Sequence, residues 1–354
     1  MQPRYQQATR HSQNFLRSAV LVDRLLDASS IQAHDLVFDL GAGAGLISSR
    51  LALRGCQVLA VEKDPSLVAL LRVKFGGVPN VQVRESDILH LNLPRYTYTV
   101  FSNVPFNITT DIVSRLTRAT FAPTDAYLVV QREASERFMG HPETTLVSVL
   151  LFPWFEATLV HEFRRTDFTP VPRVDVVMLR LHKRGPPLVA PTNAQLYRDF
   201  VVRLFTARGP SPCDGLAQLV GKRRGDRLAR ALNLRDAPPT RIPAHLWLEL
   251  FNATAAVAGD ELRLRVGHAE GHLRQQQRRI HKVHRTRSRH LRPPPLRWWS
   301  PRHERKVDWQ APTAREIYPG YSRQQASHEV ASPASSTTET RPDRAPHRVG
   351  HVQT

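Results

Sequence analysis

The sequence predicts an α/β fold: a parallel sheet alternating with helices, then a small all-helical domain, then a disordered basic tail. Three observations carry this. Short β-branched apolar runs alternate with helix-length segments up to about residue 184. Helix-patterned segments alone follow the punctuation HKRGPPL at 182–188. From Glu261 onward the chain carries 19 Lys and Arg against eight Asp and Glu, with no sustained periodicity of 2.0 or 3.6.

Strands are expected at 36–40 (LVFDL), 57–61 (QVLAV), 81–84 (VQVR), 97–101 (TYTVF) and 126–131 (AYLVVQ). Helices fit between and after them at 45–53, 65–75, 110–119 and 133–139. Strands spaced by helices of this length imply parallel βαβ units, a Rossmann-like arrangement. Two more strands, at 147–155 and 174–181, would end the sheet. Beyond it, helices are expected at 194–208, 214–220, 226–233 and 243–256. In the first of these Leu196, Phe200, Val201, Leu204 and Phe205 form one apolar face. The domain limits are then 1–184, 185–259 and 260–354.

The formal net charge of +19 and pI of about 11.0 point to a polyanionic partner. Nucleic acid is favoured through counterion release, and an anionic membrane surface is the competing partner. Two cysteines, Cys56 and Cys213, lie far apart, which fits a reducing cytoplasm and no cysteine-ligated zinc. The N-terminal residues show no apolar signal core, and no run approaches the roughly 18 apolar residues of a membrane span. In the tail, His268, His272, His281 and His284 are scattered among arginines, as solvated side chains rather than metal ligands. The tail either binds RNA without selectivity or is an extension that touches nothing in particular.

The stretch FDLGAGAGL, Phe38 to Leu46, follows the first strand and opens a helix. Glycines let the chain turn tightly and let a ligand approach backbone N–H groups. Gly41, Gly43 and Gly45 are spaced G-x-G-x-G, unlike the G-x-G-x-x-G of dinucleotide binders. Glu62 ends the second strand in VLAVEKD, where a carboxylate accepts from ribose hydroxyls. Asp87, in ESDIL after the third strand, is placed to accept from an adenine amine. Helix N-caps or solvated loop acids are the alternatives for both. Three such loops at one sheet edge suit an adenosine-containing cofactor without a pyrophosphate, and S-adenosylmethionine fits.

SNVPF, Ser102 to Phe106, follows the fourth strand on the same edge. An exocyclic adenine amine is a poor nucleophile because its lone pair is delocalised into the ring. The Asn103 side-chain oxygen and the Val104 carbonyl would accept its hydrogens as the nitrogen becomes tetrahedral. Pro105 would stiffen the turn, and Phe106 would stack on an extruded base. Such stacking is worth about 1–3 kcal/mol and offsets part of the unstacking cost. Alone, the stretch fits an ordinary strand-to-helix turn. Its place beside the glycine loop favours a site.

With HSQNFL (11–16), FDLGAGAGLIS, VLAVEKD, ESDIL, NVPFNITTDIV, VVQREASERF and DFTPVPRVDVVMLRL in this order, the chain resembles the erythromycin-resistance (Erm) rRNA adenine-N6-methyltransferases. These are relatives of the housekeeping small-subunit rRNA dimethyladenosine transferases. The likeness spans residues ~8 to ~255 and implies an S-adenosylmethionine-dependent methyltransferase domain. It also implies a monomer acting on 23S rRNA, naked or in a large-subunit precursor, near the peptidyl transferase centre. Methylation there would obstruct macrolide, lincosamide and streptogramin B binding. By this resemblance Gln13, Asn14 and Leu16 close over the methionine end of the cofactor. Gly41, Gly43 and Gly45 form its loop, Glu62 and Lys63 lie at its ribose, Asp87 and Ile88 at its adenine, and Asn103 touches both cofactor and target. Asn103, Val104, Pro105 and Phe106 are then catalytic. Phe168 is either a second aromatic wall of the target pocket or packing under a proline-rich loop. The family often has Ile or Leu where this chain has Val104, and Tyr where it has Phe106. Phe106 leans toward the resistance branch. A small-subunit enzyme and a non-catalytic rRNA-binding factor are the alternatives; a dehydrogenase is disfavoured by the glycine spacing. Arg132, Arg164, Arg165, Arg208, Lys222, Arg223 and Arg224 are candidate RNA contacts.

Overall fold

The five apolar runs expected before residue 131 all become strands of one parallel array. The computed structural model describes residues 14–279, apart from 208, 210, 235 and 236, with backbone alone at 278 and 279. The chain enters through β1 (Phe15–Leu16) and α1 (Ala19–Asp27), which Ser18 caps by accepting from the Leu21 amide at 3.1 Å. There follow β2 (Leu36–Leu40), α2 (Leu46–Leu53), β3 (Gln57–Glu62), α3 (Pro65–Phe75), β4 (Val81–Glu85) and β5 (Thr99–Asn103). Then come α4 (Thr109–Arg118), β6 (Asp125–Gln131), α5 (Arg132–Met139) and α6 (Leu146–Leu151). The sheet is completed by β7 (Phe155–Glu162) and β9 (Val176–Lys183), while β8 (Phe168–Thr169) pairs antiparallel with β1 away from it.

The seven-stranded order is β4-β3-β2-β5-β6-β9-β7. Strands β2 to β6 run parallel, and β9 pairs antiparallel with β6 and β7. Sheet growth reverses between β2 and β5. In an open α/β sheet a ligand crevice forms at that reversal, outside the carboxyl ends of the strands. The glycine loop leaves β2 there and Asn103 ends β5 there, so connectivity alone sets the two motifs side by side.

The strand expected at 147–155 is corrected to a helix. Thr145 accepts from the Ser148 amide at 3.1 Å and Ser148 accepts from the Thr145 amide at 3.1 Å, a reciprocal cap that starts α6. Its apolar run is buried on two sides. Leu151 packs into the core under the sheet and Val149 into the core of the helices beyond. A continuous apolar run of this length does not distinguish a buried helix from a buried strand.

The helical region comprises α7 (Ala194–Phe205), α8 (Pro212–Val220), α9 (Lys222–Ala231) and α10 (Ala244–Ala258). Its core is aromatic: Tyr197, Phe200, Trp247 and Phe251 are buried, and the Tyr197 hydroxyl donates to the Val149 carbonyl at 2.9 Å. The tail boundary at 260 is also corrected, because two further helices follow, α11 (Glu261–Val266) and α12 (Ala269–Arg279). Leu262 and Val266 join the helical core, which a purely charge-based boundary overlooks. The rest of the expected tail, from 280, lies outside the described residues. Among the described residues no helix is long and apolar enough to cross a membrane.

Helix α12 is held by a buried carboxylate. Glu270, 4% exposed, accepts from Arg118 of α4, from Gln195 at 3.2 Å and from Arg274 at 3.1 Å. Its own amide donates to buried Asp199 at 2.9 Å. Removing a buried acceptor that serves several donors costs about 1–3 kcal/mol. Glu270→Ala is therefore expected to lower the melting temperature by several degrees, as thermal unfolding followed by circular dichroism would show.

Candidate active site

The glycine loop takes backbone conformations that side chains resist. Gly43 has φ +56° and Gly45 has φ +77°. A Cβ on Gly43 would lie 2.7 Å from the Phe15 ring, and one on Gly45 would lie 2.7 Å from Leu71 and 2.9 Å from Phe75. The loop is tied to β3 from beneath. The amides of Gly41 and Ala42 donate to the Val61 carbonyl at 2.8 and 3.0 Å, and Gly43 donates to Glu62 Oε2 at 2.9 Å. From outside, Lys74 Nζ donates to the carbonyls of Ala44 and Gly45, each at 3.0 Å.

Glu62 is not a helix cap; that part belongs to Asp64, which accepts from the Ser66 amide at 2.8 Å. Buried Glu62 Oε1 accepts from the amides of Lys63 and Asp64 at 2.8 and 3.0 Å. Three backbone bonds thus hold this carboxylate at the end of β3, facing the loop. Asp87 accepts from Lys63 Nζ at 2.7 Å and from the Leu89 amide at 2.9 Å. The Lys63 hydrogen bond is the largest influence holding its carboxyl below the usual range, so it stays an acceptor at neutral pH. Ile88 is buried, with its Cδ1 3.7 Å from where a Gly41 Cβ would stand.

Asn103 ends β5 with its amide already oriented. Its Nδ2 donates to the Asn14 carbonyl at 2.6 Å. A carbonyl only accepts, so the side-chain nitrogen is assigned and Oδ1 is the end left for another donor. The side chain of Val104 is buried in the core, while its carbonyl accepts no hydrogen bond among the described residues. Pro105 leads into a short 3-10 turn, Phe106–Ile108, and Thr109 bonds back to the Phe106 carbonyl at 3.2 Å. A recess of about 20 Å³ is lined by Asn14, Phe15, Gly41 and the tetrapeptide Asn103 to Phe106. It brings together residues from three separate stretches of sequence.

Two expectations change. Phe168 has no exposed surface; it packs edge-on to Phe163 in the cluster against which Phe106 rests. It belongs to the apolar cluster on which Phe106 rests and does not line the recess. The side chain of Leu16 turns into the same cluster, leaving only its backbone to the site. Alternation along β1 explains this: Phe15, its neighbour, faces the glycine loop instead. Gln13 lies outside the described residues.

Phe15 and Asp39 are the residues that sequence reasoning passed over. Asp39 lies inside the quoted FDLGAGAG, and an acid in a strand otherwise apolar was the available signal. It is 1% exposed; Oδ2 accepts from the Ser48 hydroxyl at 2.7 Å and amide at 3.1 Å, while Oδ1 has no partner among the described residues. Burial raises its pKa to about 7, against the Ser48 bonds and with a smaller push from Glu62. An orphaned acid beneath a loop of bare glycines suits a cationic, backbone-hugging ligand such as S-adenosylmethionine.

A family model described as ribosomal RNA adenine dimethylase matches residues 4–255. The mycinamicin-resistance protein MyrB of Micromonospora griseorubida is 33% identical over 267 residues, covering 72% of this chain and 83% of that protein. The ribosomal RNA small subunit methyltransferase A of Geobacter sulfurreducens is 31% identical over 245 residues, 61% of this chain and 89% of that protein. Among solved structures, the 23S rRNA methyltransferase ErmE matches with a TM-score of 0.63 at 29% identity, over 68% of this chain and 99% of that one.

A folded pKa raised above the unfolded one gives stability that is whole below the unfolded pKa of 3.8 and is lost as pH rises through about 7. Asp39→Asn removes that loss. Between about pH 5 and pH 8 the variant should gain on the wild type by about 3 kcal/mol. Urea unfolding of both proteins checks this, and a stability difference independent of pH would refute it.

Proposed function

The chain belongs to the ribosomal RNA adenine dimethylase family, whose members are S-adenosylmethionine-dependent rRNA adenine N6-methyltransferases, and on that premise we propose that it acts on 23S rRNA. The substrate is one adenosine near the peptidyl transferase centre, and its methylation obstructs macrolide, lincosamide and streptogramin B drugs. The likeness to ErmE along nearly the whole of that chain carries this reading, and that to a mycinamicin-resistance protein supports it. The protein acts as a monomer on naked RNA or a large-subunit precursor.

S-adenosylmethionine, when bound, supplies an electrophilic methyl group on a sulfonium. Gly41, Gly43 and Gly45 with Asn14 would hold its methionine end, Glu62 its ribose, and Asp87 with Ile88 its adenine. Asn103 Oδ1 and the Val104 carbonyl accept the two hydrogens of the target amine, drawing its lone pair out of the ring. Because Asn14 has already oriented the Asn103 amide, no reorganisation is needed when the base arrives. Phe106 stacks on that base against the backing of Phe168.

RNA grip comes from Lys and Arg on both domains, the helical region (185–259 as first delimited) being the RNA-binding one. Lys222, Arg223 and Arg224 are exposed at the start of α9 with no carboxylate partner among the described residues. Arg132 and Arg165 are instead paired with Glu162 at 2.6 Å and Asp175 at 2.8 Å, and Arg164 is exposed. Arg208 lies outside the described residues.

A small-subunit dimethyladenosine transferase is the second reading, favoured by the Geobacter sulfurreducens relative. Labelled methyl transfer to naked large-subunit RNA, naked small-subunit RNA and assembled subunits, with the product mapped, separates the two. Label is expected on one adenosine of naked large-subunit RNA; label confined to the small subunit would transfer the protein to the housekeeping branch. Asn103→Ala should lower kcat about 100-fold or more with RNA affinity retained.

A further inference from the structure

A cleft of about 520 Å³ opens between α4, α6, α7 and α12. Its α4 wall begins at Thr110, four residues after Phe106, so it starts about one helical turn from the catalytic tetrapeptide. The floor is apolar, with Leu146, Val147, Leu150 and Val202. The rim is cationic: Arg118, Arg137, Arg198 and Arg274 face two carboxylates, Asp111 and Glu270.

The four arginines are not equivalent. Arg118 and Arg274 are occupied by Glu270. Arg137 and Arg198 have no carboxylate partner among the described residues. Arg198 is half-buried, and its guanidinium carbon sits 4.7 Å from the centre of the Trp154 ring. Burial pulls its pKa below the ordinary value. Desolvating a guanidinium without an acid is unfavourable, and an aromatic face returns only about 0.5–2 kcal/mol. Contact with the indole restrains the Arg198 guanidinium and leaves N–H donors free to bind elsewhere. Hydroxyls of Thr110 and Ser114 line the same space and are suitable donors to phosphate oxygens, whereas those of Thr117 and Thr145 already donate to the Val113 and Arg137 carbonyls.

We propose that this cleft binds phosphodiester groups of the RNA substrate, with Arg137 and Arg198 as the guanidinium ligands and α12 as a wall. The proposal rests on the rRNA reading of the catalytic site and adds to it a strand path. Helix α12 lies beyond the residues matched by the family model, which end at 255. Glu270 keeps it in place by binding Arg118 on the opposite wall, which also directs the remaining positive charge to Arg137 and Arg198. The RNA backbone therefore runs from the tetrapeptide along α4, gripped on one side by the catalytic sheet's helices and on the other by a helix that follows the matched family domain.

The test is equilibrium binding of a fluorescently labelled substrate RNA to the full chain over a range of KCl concentrations, together with methyl-transfer kinetics. In Arg137→Met/Arg198→Met, RNA affinity and 1/KM for RNA should fall about 10-fold, and the slope of log affinity against log salt should shrink by about 2. The fall in kcat at saturating RNA should stay small beside the change in KM. Wild-type affinity and salt slope in the folded variant would overturn the proposal, as would a loss confined to kcat. If the double variant melts early, Thr117→Glu, which places an anion in the cleft, decides: weaker RNA binding supports the site, and unchanged binding removes it. A wild type that binds RNA but methylates neither subunit's RNA would defeat the catalytic reading while leaving the cleft to be judged by binding alone.

Discussion

Where the sheet reverses its growth, between β2 and β5, the two strands must be locked in register for the site to exist. Ser102 locks them. Its buried hydroxyl accepts from the Leu40 amide at 2.7 Å and donates to the Phe38 carbonyl at 3.3 Å. Backbone pairing between these strands is short, with Val37 opposite Thr99 and Phe38 opposite Val100. Beyond that point the strands diverge to open the crevice, and a side chain replaces the lost ladder bonds. Asn103, the next residue, is thereby held beside Gly41, where a Cβ would lie 4.0 Å from the Asn103 carbonyl.

Charge at the crevice is arranged by depth. Asp87 is the most accessible acid and is kept ionised by Lys63. Glu62, deeper, is held by three amides. Asp39, deepest, is fully desolvated and readily protonated. A cation at the crevice meets Asp87 and then the more deeply buried Glu62, where Coulomb attraction strengthens as the dielectric falls. Asp39 does not line the recess, and its dry surroundings make it costly to keep charged, so its ionisation destabilises the protein.

The helical region is joined to the sheet through shared parts. Helix α6 contributes to both cores, Tyr197 bonds to its backbone, and Glu270 reaches α4. Buried ion pairs add little net stability but penalise wrong arrangements, since a misplaced partner leaves a charge unpaired. That fixes the helical region against the helices that flank the sheet edge carrying Asn103.

The sequence by itself determined the parallel strands, the glycine loop and the placement of Glu62, Asp87 and Asn103, because each depends on local pattern: apolar runs of strand length, glycines where φ is positive, polar residues at strand ends. It did not determine which side of a two-residue strand faces the site, so Leu16 was assigned to a place that Phe15 takes, nor which of its two alternatives for Phe168, pocket wall or packing, would hold. It could not tell helix from strand at 147–155, where burial on two faces erases periodicity, nor see that α11 and α12 pack into the fold despite their charge. The oxygen of Asp39 without a partner, the fixed amide of Asn103 and the guanidinium of Arg198 without a carboxylate, all among the described residues, were decided only by tertiary structure, because whether a polar group finds a partner depends on residues distant in sequence that the fold brings within about 3 Å.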